Sequence, residues 1–310
     1  MKISIIVPVY NEDKSILKFY EKIFIVLESL STYTYEIIFV DDGSEDNTFS
    51  IINEICIKNK NVKAIQLSKN FGKEIAMMSG FNNSIGDYII PIDCDFQDPP
   101  ELIVDMMKKI SNGEGYDMVV AERNSREENS YLKSILTKIF YFVINFIDNK
   151  RKKFENHGDY RVFNKKILDC LIRYKETNIY MKGIFQDIGF KCSSIKFDRP
   201  KRLDEPKQSF YKLLMLSLNA TLNSSTNPLY FIFFVSFFLL IISIFFMIFI
   251  LIKKLFFIIP AGGFATITIL ITFFGALNLF ILSLLSLYVS KIYFETKKRP
   301  LYIINNKINF

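Results

Sequence analysis

Tryptophan is absent from this 310-residue chain, histidine occurs once and cysteine only four times. Cys56, Cys94, Cys170 and Cys192 show neither close pairing nor metal-ligand spacing, and they read as reduced, mostly buried thiols. The single histidine, His157, reads as an exposed loop side chain. No G-x-G-x-x-G follows the first strand pattern, which argues against a dinucleotide cofactor. The opening M-K-I-S-I-I-V-P-V-Y-N-E holds too short an apolar run for a signal peptide and leads straight into a strand pattern. The soluble part is therefore expected in the cytoplasm.

Apolar residues are plentiful instead. Half of the chain is hydrophobic, phenylalanine alone occurs 32 times, and mean hydropathy is +0.21. The excess lies after Pro228, so a soluble region with one good-sized core and a membrane region are expected. A formal net charge of +7 raises nucleic acid as a partner. The lysines and arginines, however, cluster beside amphipathic and apolar segments. That placement favours anionic membrane lipids or phosphorylated substrates, with no nucleic acid.

The chemistry concentrates in I-I-P-I-D-C-D-F-Q-D-P-P-E, Ile89 to Glu101. An apolar strand pattern ends in Asp93 and Asp95 and is stopped by Pro99-Pro100. In an extended strand these carboxylates point the same way, roughly 7 Å apart. They repel each other unless a cation sits between them. A hard divalent ion, Mg²⁺ or Mn²⁺, takes oxygen ligands and is usually shared with substrate phosphates. Gln97 and Asp98 follow closely enough to add an oxygen. A polar loop in which Asp98 caps the next helix is the plain alternative, and Asp-x-Asp alone does not decide.

Strand patterns at Ile3–Val9, Glu36–Val40, Val62–Leu67 and Asp87–Ile92 alternate with helix patterns ending near Leu30 and Lys58 and covering Gly72–Ser84. Such alternation gives an α/β fold, a parallel sheet with helices on both faces and ligands at the carboxyl ends of the strands. Tyr10, Glu12, Asp41, Asp42, Asp93 and Asp95 all fall at those ends. A further strand at Met118–Ala121 opens into A-E-R-N-S-R-E-E-N. The apolar stripe from Leu132 to Ile147 suits an interfacial helix on a bilayer as well as a core-facing helix. After N-H-G-D-Y-R-V come a helix at Lys165–Tyr174, a strand at Ser193–Phe197 and a second amphipathic helix at Phe210–Leu222. Leu229–Ile252 and Phe264–Ser290 carry no charge, and about 24 helical residues span about 36 Å. Two spans return the tail to its starting side, where Lys291, Lys297, Lys298 and Arg299 suit the cytoplasmic face. With no charge inside either span, they read as anchors.

Several runs now combine: V-P-V-Y-N-E (Val7 to Glu12), V-D-D-G-S-E-D-N-T (Val40 to Thr48), S-K-N-F-G-K-E (Ser68 to Glu74) and G-D-Y-I-I-P-I-D-C-D-F-Q-D-P-P-E (Gly86 to Glu101). With them go G-D-Y-R-V (Gly158 to Val162), Y-M-K-G (Tyr180 to Gly183), R-P-K-R (Arg199 to Arg202) and the two-span ending. The chain resembles the polyprenyl-phosphate glycosyltransferases of glycosyltransferase family 2, inverting GT-A enzymes of the bactoprenol glucosyltransferase and dolichyl-phosphate mannose synthase kind. The resemblance implies a cytoplasmic GT-A domain at 1–207 with an interfacial helix at about 130–148. A juxtamembrane helix at 208–227, two transmembrane helices within 228–290 and a basic cytoplasmic tail at 291–310 follow.

The same resemblance implies hexose transfer from a nucleotide sugar, with UDP-glucose the first choice, to undecaprenyl or another polyprenyl monophosphate in the cell's inner or plasma membrane. Pro8, Tyr10, Glu12, Asp41 and Asp42 would line the donor nucleotide site. Asp93 would face the donor, and Asp95, Gln97 and Asp93 would hold the metal. Asp159, Arg126 and Arg161 join Asp93 as candidate catalytic groups; Asp159 serves either as a base or to orient Arg161. Arg123, Lys133, Arg199, Arg202 and Lys207 would hold the acceptor phosphate. Lys73 could reach the diphosphate, although a surface pair on its helix is the preferred reading. A separate flippase is implied as a partner, and self-association is left open. Pro206 and the displaced Lys207 depart from the family's usual pattern after the arginine pair. A processive polysaccharide synthase is disfavoured because its Gln-x-x-Arg-Trp motif needs a tryptophan. A non-catalytic nucleotide-sugar-binding subunit is disfavoured by intact acids at every strand end.

Overall fold

The computed structural model describes residues 1–123, 157–174, 179, 181–198, 263–297 and 299–310, with Phe238, Ile241 and Phe245 as isolated positions. Apolar, β-branched runs form β1 (Lys2–Val9), β2 (Thr34–Asp41), β3 (Val62–Leu67), β4 (Tyr88–Pro91) and β5 (Met118–Arg123). Three more strands are β6 (His157–Asn164), β7 (Cys192–Phe197) and β8 (Ile304–Ile308). The sheet order is β7-β5-β6-β4-β1-β2-β3-β8. β1 runs parallel to β2 and β4, β2 to β3, and β5 to β7. The sheet is mixed rather than wholly parallel, because β6 is antiparallel to β4 and β5, and β8 to β3. His157 accordingly opens a strand and does not lie in a loop.

Alternate residues of the central strands feed two cores, as expected for a sheet covered on both faces. Ile3, Ile5, Val7 and Val9 pack with α1 (Ile16–Ser29), α2 (Thr48–Lys58) and α4 (Leu102–Ser111). Ile6, Ile38 and Val40 pack on the other face with α3 (Lys73–Asn82), α5 (Lys165–Leu171) and α6 (Met181–Asp187). This is a GT-A-like α/β arrangement.

The chain divides into two compact units, one of Met1–Lys138, Lys150–Leu216 and Pro300–Phe310, the other of Ile139–Asn149 and Ser217–Arg299. The second contains α7 (Phe264–Thr296), 33 residues long. Among the described residues no helix is long and apolar enough to cross a membrane, so the expected transmembrane hairpin is not borne out there. The first expected span, Leu229–Ile252, lies outside the described residues apart from Phe238, Ile241 and Phe245. So do the helices expected at about 130–148 and at 208–227. The sequence of α7 itself carries no charge from Phe264 to Ser290.

Candidate active site

Register pairing brings Val9 beside Asp41 and Ile6 beside Pro91. The carboxyl ends of β1, β2 and β4 therefore open along one edge of the sheet. Pro8, Tyr10, Glu12, Asp41, Asp42, Asp93, Asp95 and Gln97 all belong to these ends. The turns leave ordinary backbone space at Asn11 (φ 54°) and Phe96 (φ 59°), conformations that cost energy outside glycine and gather at functional turns. Gly43 adopts φ +72°, and a Cβ there would lie 2.5 Å from the Lys69 carbonyl carbon. Glycine alone lets the segment before α3 close onto this turn.

The first two motifs form one laced unit. The Asn11 amide donates to Ser44 Oγ at 2.9 Å, the Glu12 amide to Thr48 Oγ1 at 2.8 Å, and the Glu45 amide to Asn11 Oδ1 at 2.9 Å. The Glu12 carboxylate accepts from the Ser15 hydroxyl. Tyr10 stays 42% exposed.

The two acids ending β2 differ in use. Asp41 is fully buried; its Oδ1 accepts the Ser44 amide at 3.1 Å, while Oδ2 has no well-formed hydrogen bond. Burial raises the Asp41 pKa, and Ser44 and Gln66 pull it the other way. Asp42 spends both oxygens on the backbone before α3, accepting the Phe71 amide at 2.7 Å and the Gly72 amide at 2.8 Å. Burial raises its pKa against those two bonds. Asp42 is a clamp on that loop.

The cation beside the strand-end carboxylates is a side chain. Lys73 Nζ lies 2.6 Å from Asp93 Oδ2 and 3.5 Å from Asp159 Oδ2, joining the start of α3, the end of β4 and β6. Burial acts to lower the Lys73 pKa, but Asp93 and Asp159 outweigh it and raise it, so the ammonium stays charged. Burial likewise opposes ionisation of Asp159, but Lys73, Lys182 and Arg161 hold that carboxyl below its usual range. Among the described residues Asp159 Oδ1 has no hydrogen-bond partner. A helix-surface pair for Lys73 was the preferred expectation; its side chain, 41% exposed, instead pairs with Asp93 and Asp159 from other elements. Glu74 was missed altogether. Its Oε2 accepts the Met181 amide at 3.2 Å, tying α3 to the start of α6. Burial, helped by Asp159, lifts its pKa to about 7.

β6 gives G-D-Y-R its meaning. Asp159 and Arg161 share one face, and Tyr160 on the other donates its hydroxyl to Pro99 O at 2.8 Å, fixing the loop that carries Asp95 and Gln97. Arg161 is only 3% exposed. It donates to Gly158 O at 2.6 Å and Asp159 O at 3.3 Å, with its guanidinium 3.9 Å from the Phe185 ring centre. Burial lowers its pKa to about 10, so it remains a cation at neutral pH whose donors mostly serve the main chain.

Asp95 Oδ1 accepts the Gln97 amide at 3.0 Å. Among the described residues no group of three or more His, Cys, Asp or Glu is arranged to hold a metal ion; the expected set of Asp93, Asp95 and Gln97 offers two carboxylates and an amide. Arg123 ends β5, whereas Arg126, Lys133, Arg199, Arg202 and Lys207 lie outside the described residues.

Acids thus gather at the ends of a mostly parallel sheet, with a lysine against Asp93 and Asp159. Residues 4–172 match Glycosyl transferase family 2, and the chain belongs to that family. It is a transferase of glycosyl groups. The prophage bactoprenol glucosyl transferase homolog of Escherichia coli (strain K12) is 34% identical over 98% of this chain and 98% of that protein. The bactoprenol glucosyl transferase of Shigella phage SfV is 35% identical over 99% of each. An uncharacterized glycosyltransferase of Synechocystis sp. is 33% identical over 99% of this chain and 95% of that protein. Among solved structures, mannosyl-3-phosphoglycerate synthase from Rubrobacter xylanophilus gives a TM-score of 0.49 at 15% identity over 71% of each chain, too distant to bear on substrate.

Proposed function

We propose that the chain transfers a hexose, glucose from UDP-glucose being the first choice, to the phosphate of a polyprenyl monophosphate at the cytoplasmic membrane face. The observation that carries this reading is end-to-end similarity to proteins named bactoprenol glucosyl transferase, over 98% and 99% of the chain.

Topology sets a condition on the membrane part. β7 ends at Phe197, β8 begins at Ile304, and both lie in one sheet. Any part of the intervening chain that crosses a bilayer must return, so the number of crossings is even. Spans at Leu229–Ile252 and Phe264–Ser290 satisfy that condition.

In this reading the donor base lies near Tyr10 and Asp41 and the sugar over Asp93. Asp93, Asp95 and Gln97 fit a hard cation shared with a diphosphate, which needs only one or two protein carboxylates. A divalent ion there supplies Lewis-acid stabilisation of the departing diphosphate. An acceptor phosphate oxygen attacks the anomeric carbon as the bond from that carbon to the diphosphate oxygen breaks. The electron pair leaves with the nucleoside diphosphate, and one displacement inverts the centre. A phosphate monoester with a second pKa near ~6 is already largely anionic at neutral pH, so no proton has to be removed. Asp159 then serves to hold Lys73 rather than as a base. Arg123, Lys133, Arg199, Arg202 and Lys207 are assigned to the acceptor phosphate and Arg126 to the donor side, Arg being suited to paired contacts with phosphate oxygens.

Membranes containing the chain, given undecaprenyl phosphate and labelled UDP-glucose, UDP-galactose, UDP-N-acetylglucosamine or GDP-mannose in turn, test this. The expected product is one labelled sugar per lipid phosphate, formed best from UDP-glucose. Label in a long polymer, or in no lipid with any donor, contradicts the proposal.

A further inference from the structure

The final strand, β8, lies far from the acids in sequence yet covers the edge of β3, the strand next to the one that ends in Asp41. Ala64, Ile65, Gln66 and Leu67 pair with Ile308, Lys307, Asn306 and Ile304. Edge cover alone would protect the sheet from unwanted pairing, but the contacts continue beyond the ladder and toward the site. The Ser68 amide donates to Ile303 O at 2.9 Å. Ser68 opens the short loop whose other end is clamped by Asp42 through Phe71 and Gly72, and that loop delivers Lys73. Asn305 Nδ2 donates to Gln66 Oε1 at 3.1 Å. An amide whose oxygen is engaged turns its NH₂ outward as the remaining donor. Gln66 is the register partner of Asp41, so the two side chains are neighbours on one face, and Gln66 acts to lower the Asp41 pKa against its burial. The far end of α3 is held too, by Asn82 Nδ2 to the Tyr302 hydroxyl at 3.1 Å and Lys307 Nζ to Asn83 Oδ1 at 2.6 Å.

We propose that β8 is a working part of the donor site: through Asn305 and Gln66 it sets the Asp41 carboxylate, and through Ile303 it braces the loop that carries Lys73. Asn305 and Gln66 are positioning residues in this account, since neither is assigned to the substrate. The inference rests on the placement of the nucleotide beside Tyr10 and Asp41 proposed above.

The test uses the full chain in detergent, with UDP and GDP as probes in equilibrium binding, beside steady-state kinetics with nucleotide sugar and undecaprenyl phosphate varied in turn. Asn305→Ala removes one exposed side-chain contact and leaves the β8 main chain intact. It is expected to weaken nucleotide binding by about three- to tenfold, the range of one hydrogen bond, with acceptor KM and melting temperature unchanged. Gln66→Ala is expected to do the same, and the double variant to be no worse than either single one, because both act through one chain of contacts. Tyr10→Ala checks the underlying placement. If it weakens binding while Asn305→Ala and Gln66→Ala do not, β8 is only an edge cover and the coupling is wrong. If Tyr10→Ala leaves UDP and GDP affinity unchanged, the placement itself falls, and the coupling with it. Additive losses in the double variant also overturn the proposal.

Discussion

Lys73 shows how one side chain changes the reading of a site. Two strand-end aspartates, Asp93 and Asp95, call for a neighbouring cation, and the protein places an ammonium within 3.5 Å of Asp93 and of Asp159 in β6. In the proposed reaction that cation sits where the two anionic substrates meet, so its loss should act on turnover more than on folding. Lys73→Met is expected to lower kcat by about tenfold to hundredfold, as loss of a site cation does, while Lys73→Arg retains more activity. Equal kcat in the methionine variant contradicts this role. Glu74 leads to a pH prediction. Its folded-state pKa, raised to about 7 by burial, exceeds its value in an unfolded chain, so the native state binds the proton more tightly. Stability should therefore fall as pH rises from about 4.5 to 7 and then level off with respect to this group. Glu74→Gln keeps an oxygen for the Met181 amide and cannot ionise; its melting temperature is expected to decline less over that interval. Parallel melting curves for the two proteins contradict the assignment.

At the scale of elements, the turn after β2 is fixed by geometry more than by charge. Gly43→Ala must force a Cβ against the Lys69 backbone in a left-handed conformation, a strain of about 1–3 kcal/mol, measurable as a lower denaturation midpoint. An unchanged midpoint would show that the loop before α3 moves freely. The central strands were legible in the sequence because strands buried on both faces read as continuous apolar runs; β1, β2 and β3 fall within two residues of their expected ends. β6 was not legible as a strand. His157, Gly158 and Asp159 open it with polar or small residues, and its buried face includes Arg161. β8, I-N-N-K-I, is a polar edge whose apolar residues stand only at its ends. Lys73 was not placed correctly because its partners lie 20 and 86 residues away, beyond any local pattern. The acids themselves were legible because alternation and strand ends are local properties.

For the whole molecule, the return of the chain to β8 constrains topology. Residues at the amino terminus and in β8 must lie on the same side of the membrane, since both belong to one sheet. Single cysteines substituted at exposed Lys14 and Asn305 of a cysteine-free variant are expected to react with a membrane-impermeant maleimide only when the cytoplasmic face is open. Labelling of the two positions from opposite faces contradicts an even number of crossings. The central claim, that one site at the ends of β1, β2 and β4 performs metal-assisted transfer to a lipid phosphate, is tested most directly by label transfer in membranes carrying the wild-type chain or Asp95→Asn. The account predicts transfer from UDP-glucose to undecaprenyl phosphate by the wild type, abolished by EDTA and restored by Mn²⁺ or Mg²⁺. It also predicts a loss of roughly hundredfold or more in the folded Asp95→Asn variant, the scale expected when transition-state charge stabilisation is removed. Full activity in that variant, or undiminished transfer in EDTA, would contradict it.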